Sequence, residues 1–297
     1  HLVYGVLRMR GHLDWILAQL YRGDYAGMEE SVKNILRTGL YQLKFSERLP
    51  AFAAVNEAVK IAKDTTPAAA ALTNALLRSY LRSPDKTFFP SLDENSALHI
   101  AAFHSHPLWL VDLWLNVYGK EETLALCRAN NELPPMTVRT NNMKISRDEL
   151  VEKLNADKFS CIKTRFSPYG INLSDSPMPI QKTIFFHEGL LRLQDEAAQL
   201  VSCLVAPERN ENVLDACSGT GGKTMHLAAM MNNCGRITAL DRDRGKITQL
   251  TKEAARMGVS IIEPVQADLK HRLPVEYSRR FDHVLVDAPC SGTGTLR

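Results

Sequence analysis

The apolar positions of this chain change period along its length. Over residues 1–83 they recur at three- and four-residue steps: Val32, Ile35, Leu36, Leu40 and Leu43 share one helical face. Pro50 opens a second helical segment with Val55, Ala58, Val59 and Ala62 as its stripe. Pro67 suits the first turn of a helix, and Leu72, Leu76 and Tyr80 follow at four-residue spacing. The pattern predicts an all-helical segment. Residues 84–104, with Pro84, Pro90 and several polar residues, read as a linker. Residues 105–160 return largely to helix. Ser146-Arg147-Asp148-Glu149 fits a capping box, in which the Ser and Glu side chains each satisfy an orphan backbone N–H. Met136-Thr137-Val138-Arg139-Thr140 is a strand candidate behind Pro134-Pro135. Pro168, Gly170, Pro177 and Pro179 mark a turn-rich connector.

From about residue 187 strands and helices alternate. Helix is expected over 194–205, from the glycine turn through Met231, and over 246–257. Strands are expected over 212–216, 236–240, 261–266 and 281–286. Such alternation implies a parallel, doubly wound sheet, and ligands of such sheets bind beyond the carboxyl ends of the strands. The fold class is therefore multidomain: an all-α bundle over 1–83, a linker over 84–104, a small α/β connecting domain over 105–186 and an α/β Rossmann-like domain over 187–297.

Charge adds little. Residues 1–83 hold 11 Lys+Arg against 7 Asp+Glu, residues 84–210 hold 13 against 16, and residues 211–297 hold 12 against 10. The excess at both ends permits a polyanionic partner without demanding one. The six cysteines form no Cys-x-x-Cys pair, which argues against a zinc ribbon or thioredoxin motif and gives no reason to expect a metal. Unpaired thiols suit a reducing cytoplasm. No apolar run reaches the roughly 18 residues needed to span a bilayer, so no membrane association is expected, and no signal peptide is read. His1 stands where an initiator Met would, so residues upstream of it are expected.

The chemistry concentrates at the strand ends. In Asp215-Ala216-Cys217-Ser218-Gly219-Thr220-Gly221-Gly222-Lys223-Thr224, three glycines without Cβ let backbone approach a ligand, and the following helix N-terminus favours a carboxylate or phosphate. A Walker A loop would need Gly at Cys217, and a dinucleotide G-x-G-x-x-G from Gly219 would need Gly at Thr224; both spacings fail. Asp241 ends the second strand, where a carboxylate can accept two ribose hydroxyls. Asp268 ends the third, placed to accept from an adenine amino group. The most specific segment is Asp287-Ala288-Pro289-Cys290-Ser291-Gly292-Thr293-Gly294. Cytosine C5 is a poor nucleophile until a thiolate adds to C6, and a carboxylate near N3 supplies or shares the proton that makes the addition favourable. Asp287 and Cys290 fit those two needs. A methyltransferase acting on an exocyclic amine would instead present an Asn/Asp-Pro-Pro-aromatic segment.

Val213 to Thr224, Gln194 to Val201 and Val284 to Arg297 resemble the bacterial 16S ribosomal RNA cytosine-5 methyltransferase B (Sun/Fmu) family. Ala53 to Val59 and Thr73 to Arg78 resemble its N-terminal NusB-like RNA-binding domain. The resemblance runs over nearly the whole chain. It implies S-adenosyl-L-methionine as cofactor and 16S ribosomal RNA as partner. It implies a cofactor site formed by Cys217, Ser218, Gly219, Thr220, Gly221, Gly222, Lys223, Asp241, Asp268 and Asp287, and catalytic roles for Cys290 and Asp287. Arg37, Lys44 and Arg48 are offered as phosphate contacts, and a cytoplasmic monomer is expected. The family's first turn reads Cys-Ala-Ala-Pro-Gly-Gly-Lys, where this chain has Ser218-Gly219-Thr220-Gly221. The family's attacking cysteine lies in a Thr-Cys motif on a later strand, and its Pro-Cys thiol helps release product. No Thr-Cys dipeptide occurs here, so the attacking thiol is expected beyond Arg297, the methyltransferase domain incomplete and the chain as given inactive. DNA cytosine-5 methyltransferases attack with the Pro-Cys thiol, so a single-cysteine route stays open. Two other classes stay open: an RNA-binding protein with a degenerate catalytic half, and a nucleotide-dependent oxidoreductase.

Overall fold

A computed structural model describes residues 2–47, 49–270 and 280–293. Its contacts divide the chain after Leu133 into two units, His1–Leu133 and Pro134–Gly294.

The first unit is helical: α1 (Leu2–Arg8), α2 (Arg10–Leu20), α3 (Glu30–Phe45), α4 (Ala51–Thr65), α5 (Ala70–Arg82), α6 (Ser96–Phe103) and α7 (Leu108–Asn131), the last broken at Gly119. The stripes expected from periodicity face one core, where Leu13, Leu17, Leu36, Leu40 and Leu77 are fully buried beside Val55, Ala58 and Leu76. Truncating one such leucine to Ala typically costs about 2–5 kcal/mol. Pro67 opens a 3-10 turn that leads into α5. The stretch expected as a linker is not bare connector. Asn95 caps α6 by accepting the Leu98 N–H, and Ile100 is buried. The Trp15 indole donates to the Phe88 carbonyl at 3.0 Å, and Phe89 stacks on His12 at 4.8 Å between centroids. The aromatic residues, masked in sequence by their proline and polar neighbours, dock this stretch on α2.

His12 Nδ1 also meets the Phe103 carbonyl at 2.8 Å. Burial pushes its pKa down to about 4 against that carbonyl, with the charge of Lys44 adding to burial; His104 is likewise lowered to about 4, by burial and then by Arg128. Both rings are neutral in the fold. Below their unfolded pKa of about 6.5, the unfolded chain binds protons that the fold refuses, so the stability they allow is present above that pH and lost towards pH 4. Each shift is worth at most about 3 kcal/mol. The urea midpoint read from tryptophan fluorescence is expected to fall from pH 7.5 to pH 5. All three tryptophans lie in this unit. An unchanged midpoint would show that these rings do not govern its stability.

The second unit carries two sheets. The first is antiparallel, from β1 (Met136–Thr140), β2 (Ser160–Lys163), β3 (Gly170–Asp175) and β4 (Leu191–Leu193) in the order β2-β3-β1-β4. It is served by α8 (Arg147–Ala156) and α9 (Ile184–His187). This is a βαββαβ arrangement. Ser146 caps α8 by accepting the Glu149 N–H at 3.2 Å, while the Glu149 carboxylate meets the Ser146 hydroxyl at 3.5 Å rather than its backbone. Two expectations are corrected. The turn-rich connector holds β3, whose Ile171 and Leu173 are buried between polar neighbours. Leu191–Leu193, expected in the C-terminal domain, completes the small sheet by pairing with β1; three residues are too few to show a period.

The second sheet is parallel, in the order β7-β6-β5-β8, from β5 (Asn212–Asp215), β6 (Arg236–Asp241), β7 (Ile262–Gln266) and β8 (His283–Leu285). Helices α10 (Glu196–Val205), α11 (Gly222–Met230) and α12 (Arg244–Met257) accompany it. Val213, Ile237 and Ala239 are wholly buried against Met225, Leu227 and Leu250. The strand order steps from β5 through β6 to β7 on one side, and β8 lies on the other. The topological switch point therefore falls between β5 and β8, where α/β sheets bind ligands.

Candidate cofactor and catalytic site

The glycine turn after β5 and Asp287 after β8 flank that switch point, while Asp241 and Asp268 stand at the carboxyl ends of β6 and β7. Ser218 donates twice to the Leu240 carbonyl, from its N–H at 2.8 Å and its hydroxyl at 3.1 Å. The Gly221 N–H closes the turn on the Ser218 carbonyl at 2.9 Å. Gly221 has φ +84°, a region side chains avoid, and a Cβ there would come 2.9 Å from Met225 Cε and 3.1 Å from Leu250 Cγ. Gly219 has φ +56°, and a Cβ there would meet nothing within 4 Å. The turn is thus packed tightly behind Gly221 and open in front of Gly219.

Asp241 is tied to the turn: its Oδ2 accepts the Gly219 N–H at 3.0 Å and its Oδ1 the Asp243 N–H at 2.8 Å. Asp243 caps α12, accepting from Gly245 and Lys246. Asp268 follows β7 and accepts the Lys270 N–H at 3.0 Å. Together with Arg242, Asp243, Gln266 and Ala267 it lines a cavity of about 490 Å³. A second cavity of about 290 Å³ is lined by Cys217, Ser218, Gly219, Thr220, Gly222, Lys223 and Asp287, with Asp215, Arg192 and Gln194.

Lys223, at the first turn of α11, forms an ion pair with Asp287 beyond β8. Cys290 is exposed, and its Sγ accepts the Gly292 N–H at 3.4 Å. Residues 294–297 and Arg48 lie outside the described residues. Burial pushes the Asp215 carboxyl up to about 6, against hydrogen bonds from the Thr224 hydroxyl (2.7 Å) and the Cys217 N–H. Burial also raises the Cys217 thiol, and the nearby Asp241, Asp215 and Asp287 raise it further. A raised pKa leaves that thiol little thiolate with which to attack.

The donor set fits a nucleoside with a charged tail: acids at the ends of β6 and β7, an open glycine turn, and a helix N-terminus. Arg37 does not suit its expected role. It is buried, with Nε and Nη2 on Asp14 at 2.6 and 2.9 Å and Nη1 on Glu30 at 2.9 Å. Its charge is already met, because α2 and α3 bring the carboxylates to it. Lys44 stays exposed. Sequence reading did not single out Arg192 or Asp243, which line these cavities, or Arg139, which donates to the Gly222 carbonyl of the turn. A charged residue inside a short strand, as Arg139 is between Val138 and Thr140, was the one available signal.

The family model described as 16S rRNA methyltransferase RsmB/F matches residues 202–297, the NusB family model matches 1–82, and the Methyltr_RsmF/B-like ferredoxin-like domain matches 106–181. A probable ribosomal RNA small subunit methyltransferase B of Bacillus subtilis is 36% identical over the whole chain, which spans 65% of that relative's length. The ribosomal RNA small subunit methyltransferase B of Proteus mirabilis is 30% identical, and the chain spans 68% of it. A solved methyltransferase homolog from Pyrococcus horikoshii superposes with a TM-score of 0.62 at 29% identity, over 68% of this chain and 65% of that one. With a helical NusB domain, a ferredoxin-like sheet and a methyltransferase sheet in one chain, this protein belongs to the 16S rRNA methyltransferase RsmB/F family.

Proposed function

We propose that the complete protein uses S-adenosyl-L-methionine to methylate C5 of a cytosine in small-subunit ribosomal RNA through a cysteine–C6 adduct. The Lys223–Asp287 ion pair carries this reading. It joins the helix that follows the glycine turn to the segment bearing Cys290, so a cofactor and a pyrimidine ring would meet at one place.

When bound, the cofactor supplies an electrophilic methyl group. Asp241 and Asp268 would receive the ribose hydroxyls and the adenine amine. The turn from Cys217 to Lys223 would receive the amino-acid end. Addition of a thiolate to C6 leaves a carbanion-like C5 that takes the methyl group. Asp287 holds the proton at N3 during addition, which offsets the charge that builds on the ring. Loss of the C5 proton and expulsion of the thiolate from C6 restore the aromatic ring, and Cys290 assists that release. None of the cysteines follows a threonine, so attack is not assigned to a residue of this chain. The target base must leave any stack to enter the pocket, and the helical unit would supply shape and phosphate contacts.

Among the described residues no helix is long and apolar enough to cross a membrane, and no group of three or more His, Cys, Asp or Glu gathers as a metal site. The proposed setting is the cytoplasm, with the protein acting as a monomer on ribosomal RNA.

Calorimetric titration of S-adenosylmethionine into this chain is expected to show saturable, one-site binding. A folded chain that binds none would sink the cofactor assignment. Asp241→Ala removes a charged acceptor whose hydrogen bonds are worth about 1.5–3 kcal/mol. The same titration is expected to show about 10- to 100-fold weaker binding with unchanged circular dichroism. Unchanged affinity would remove Asp241 from the site.

A further inference from the structure

Arg139 and Arg192 sit directly opposite each other on β1 and β4 of the small sheet. Opposed residues of an antiparallel pair project from the same face, and like charges there are unfavourable. Both side chains reach across to the glycine turn of the other sheet. Arg192 Nη2 donates to the Thr220 carbonyl at 3.1 Å and to its hydroxyl at 3.2 Å, and its Nη1 pairs with Glu253. Arg139 Nη1 donates to the Gly222 carbonyl at 2.9 Å and to the Gln194 side chain, which itself lines the cofactor cavity.

Arg139 is 0% exposed, and none of its hydrogen bonds goes to a carboxylate. Its Nε and Nη2 are buried without a hydrogen-bond partner among the described residues. His226, beside it, is pushed down to about 2 by burial and then by the Arg139 charge, so it is neutral. A buried cation without a counter-charge destabilises a fold, so packing does not account for this guanidinium. It lies behind the N-terminus of α11, where positive potential favours an anion.

We propose that Arg139, seconded by Arg192, is a positioning residue for the carboxylate end of the cofactor. The pair grips the carbonyls on either side of Gly221, fixes Gln194, and leaves an unneutralised positive charge behind the pocket for the amino-acid carboxylate to answer. The small sheet is then a working wall of the cofactor site. This rests on the S-adenosylmethionine reading.

The test compares S-adenosylmethionine with its decarboxylated analogue, which keeps the nucleoside, sulfonium and amine. Calorimetry on the unmodified chain should show a clear preference for the carboxylate-bearing form. Arg139→Met, close to isosteric and uncharged, should lose about tenfold or more in affinity for S-adenosylmethionine. Its affinity for the analogue should stay within about twofold, and its melting temperature should hold or rise. Arg139→Lys, which restores charge without the fork, should recover part of the preference and covers the case in which Arg139→Met does not fold. An equal loss for both ligands would overturn the proposal in favour of a structural role, as would an unchanged preference in both variants. An unmodified chain that binds neither ligand would overturn the cofactor reading and this proposal with it, a result separable from a ligand-blind Arg139.

Discussion

Cys290→Ala in the complete protein is expected to halt turnover after methyl transfer and leave the enzyme covalently joined to its RNA. In the proposed sequence the C6 adduct forms, C5 is methylated, and release needs the C5 proton removed and the thiolate expelled. Cys290 lies three residues beyond Asp287, is exposed, and holds its sulfur against the Gly292 N–H. A group that assists proton transfer is typically worth about 10²–10⁴ in rate, so steady-state turnover should fall at least about a hundredfold. An RNA-linked species that survives denaturing electrophoresis should accumulate only when S-adenosylmethionine and substrate RNA are both present. A loss of activity with no adduct would mean that Cys290 is itself the attacking thiol, as in the single-cysteine route. Full activity would remove Cys290 from the chemistry, whereas an unmodified protein that binds RNA without methylating it would give weight to an RNA-binding role for the chain.

Much of this site was legible in the sequence because its parts stand at the ends of buried strands. Val213, Leu214, Ile237 and Leu240 are buried, so their runs mark β5 and β6, and whatever follows such a run in a parallel sheet faces the ligand. The turn and Asp241 could therefore be named, and the structure joins them through the Gly219–Asp241 hydrogen bond. The helical stripes of α3, α4 and α5 were legible for a related reason: one face meets water and the other meets core, so the period survives. What stayed hidden depends on contacts between segments distant in sequence. Strands β2, β3 and β4 have three to six residues and mixed polarity, too short for alternation to stand out. Arg37 resembles any surface arginine until Asp14 and Glu30 are folded against it. Arg139 and Arg192 become a pair only once β1 and β4 are in register, 53 residues apart in sequence (192 − 139 = 53).

Asp287→Asn separates cofactor binding from chemistry. The side chain keeps its size, so the ring of the target base should still be admitted. It loses the carboxylate that shares a proton with N3 while the thiolate adds to C6, and charge would then build on a ring with no partner to take it. Turnover of the complete protein is expected to fall by about 10³, within the range for general acid–base groups. S-adenosylmethionine affinity should change only a few-fold, because Asp287 is one wall of a pocket otherwise lined by the glycine turn together with Arg192 and Gln194. Stability gives an independent check. Asp287 is 55% exposed in its pair with Lys223, and exposed ion pairs contribute at most about 1 kcal/mol, so the variant should melt within a few degrees of the unmodified protein. Lys223→Met breaks the same ion pair while keeping the carboxylate. Its turnover should fall less than that of Asp287→Asn if Asp287 acts on the base directly. Equal losses in the two variants would mean that the ion pair, rather than the carboxylate, is what the reaction needs, and Asp287→Asn retaining more than about a tenth of normal turnover would take Asp287 out of the proton transfer.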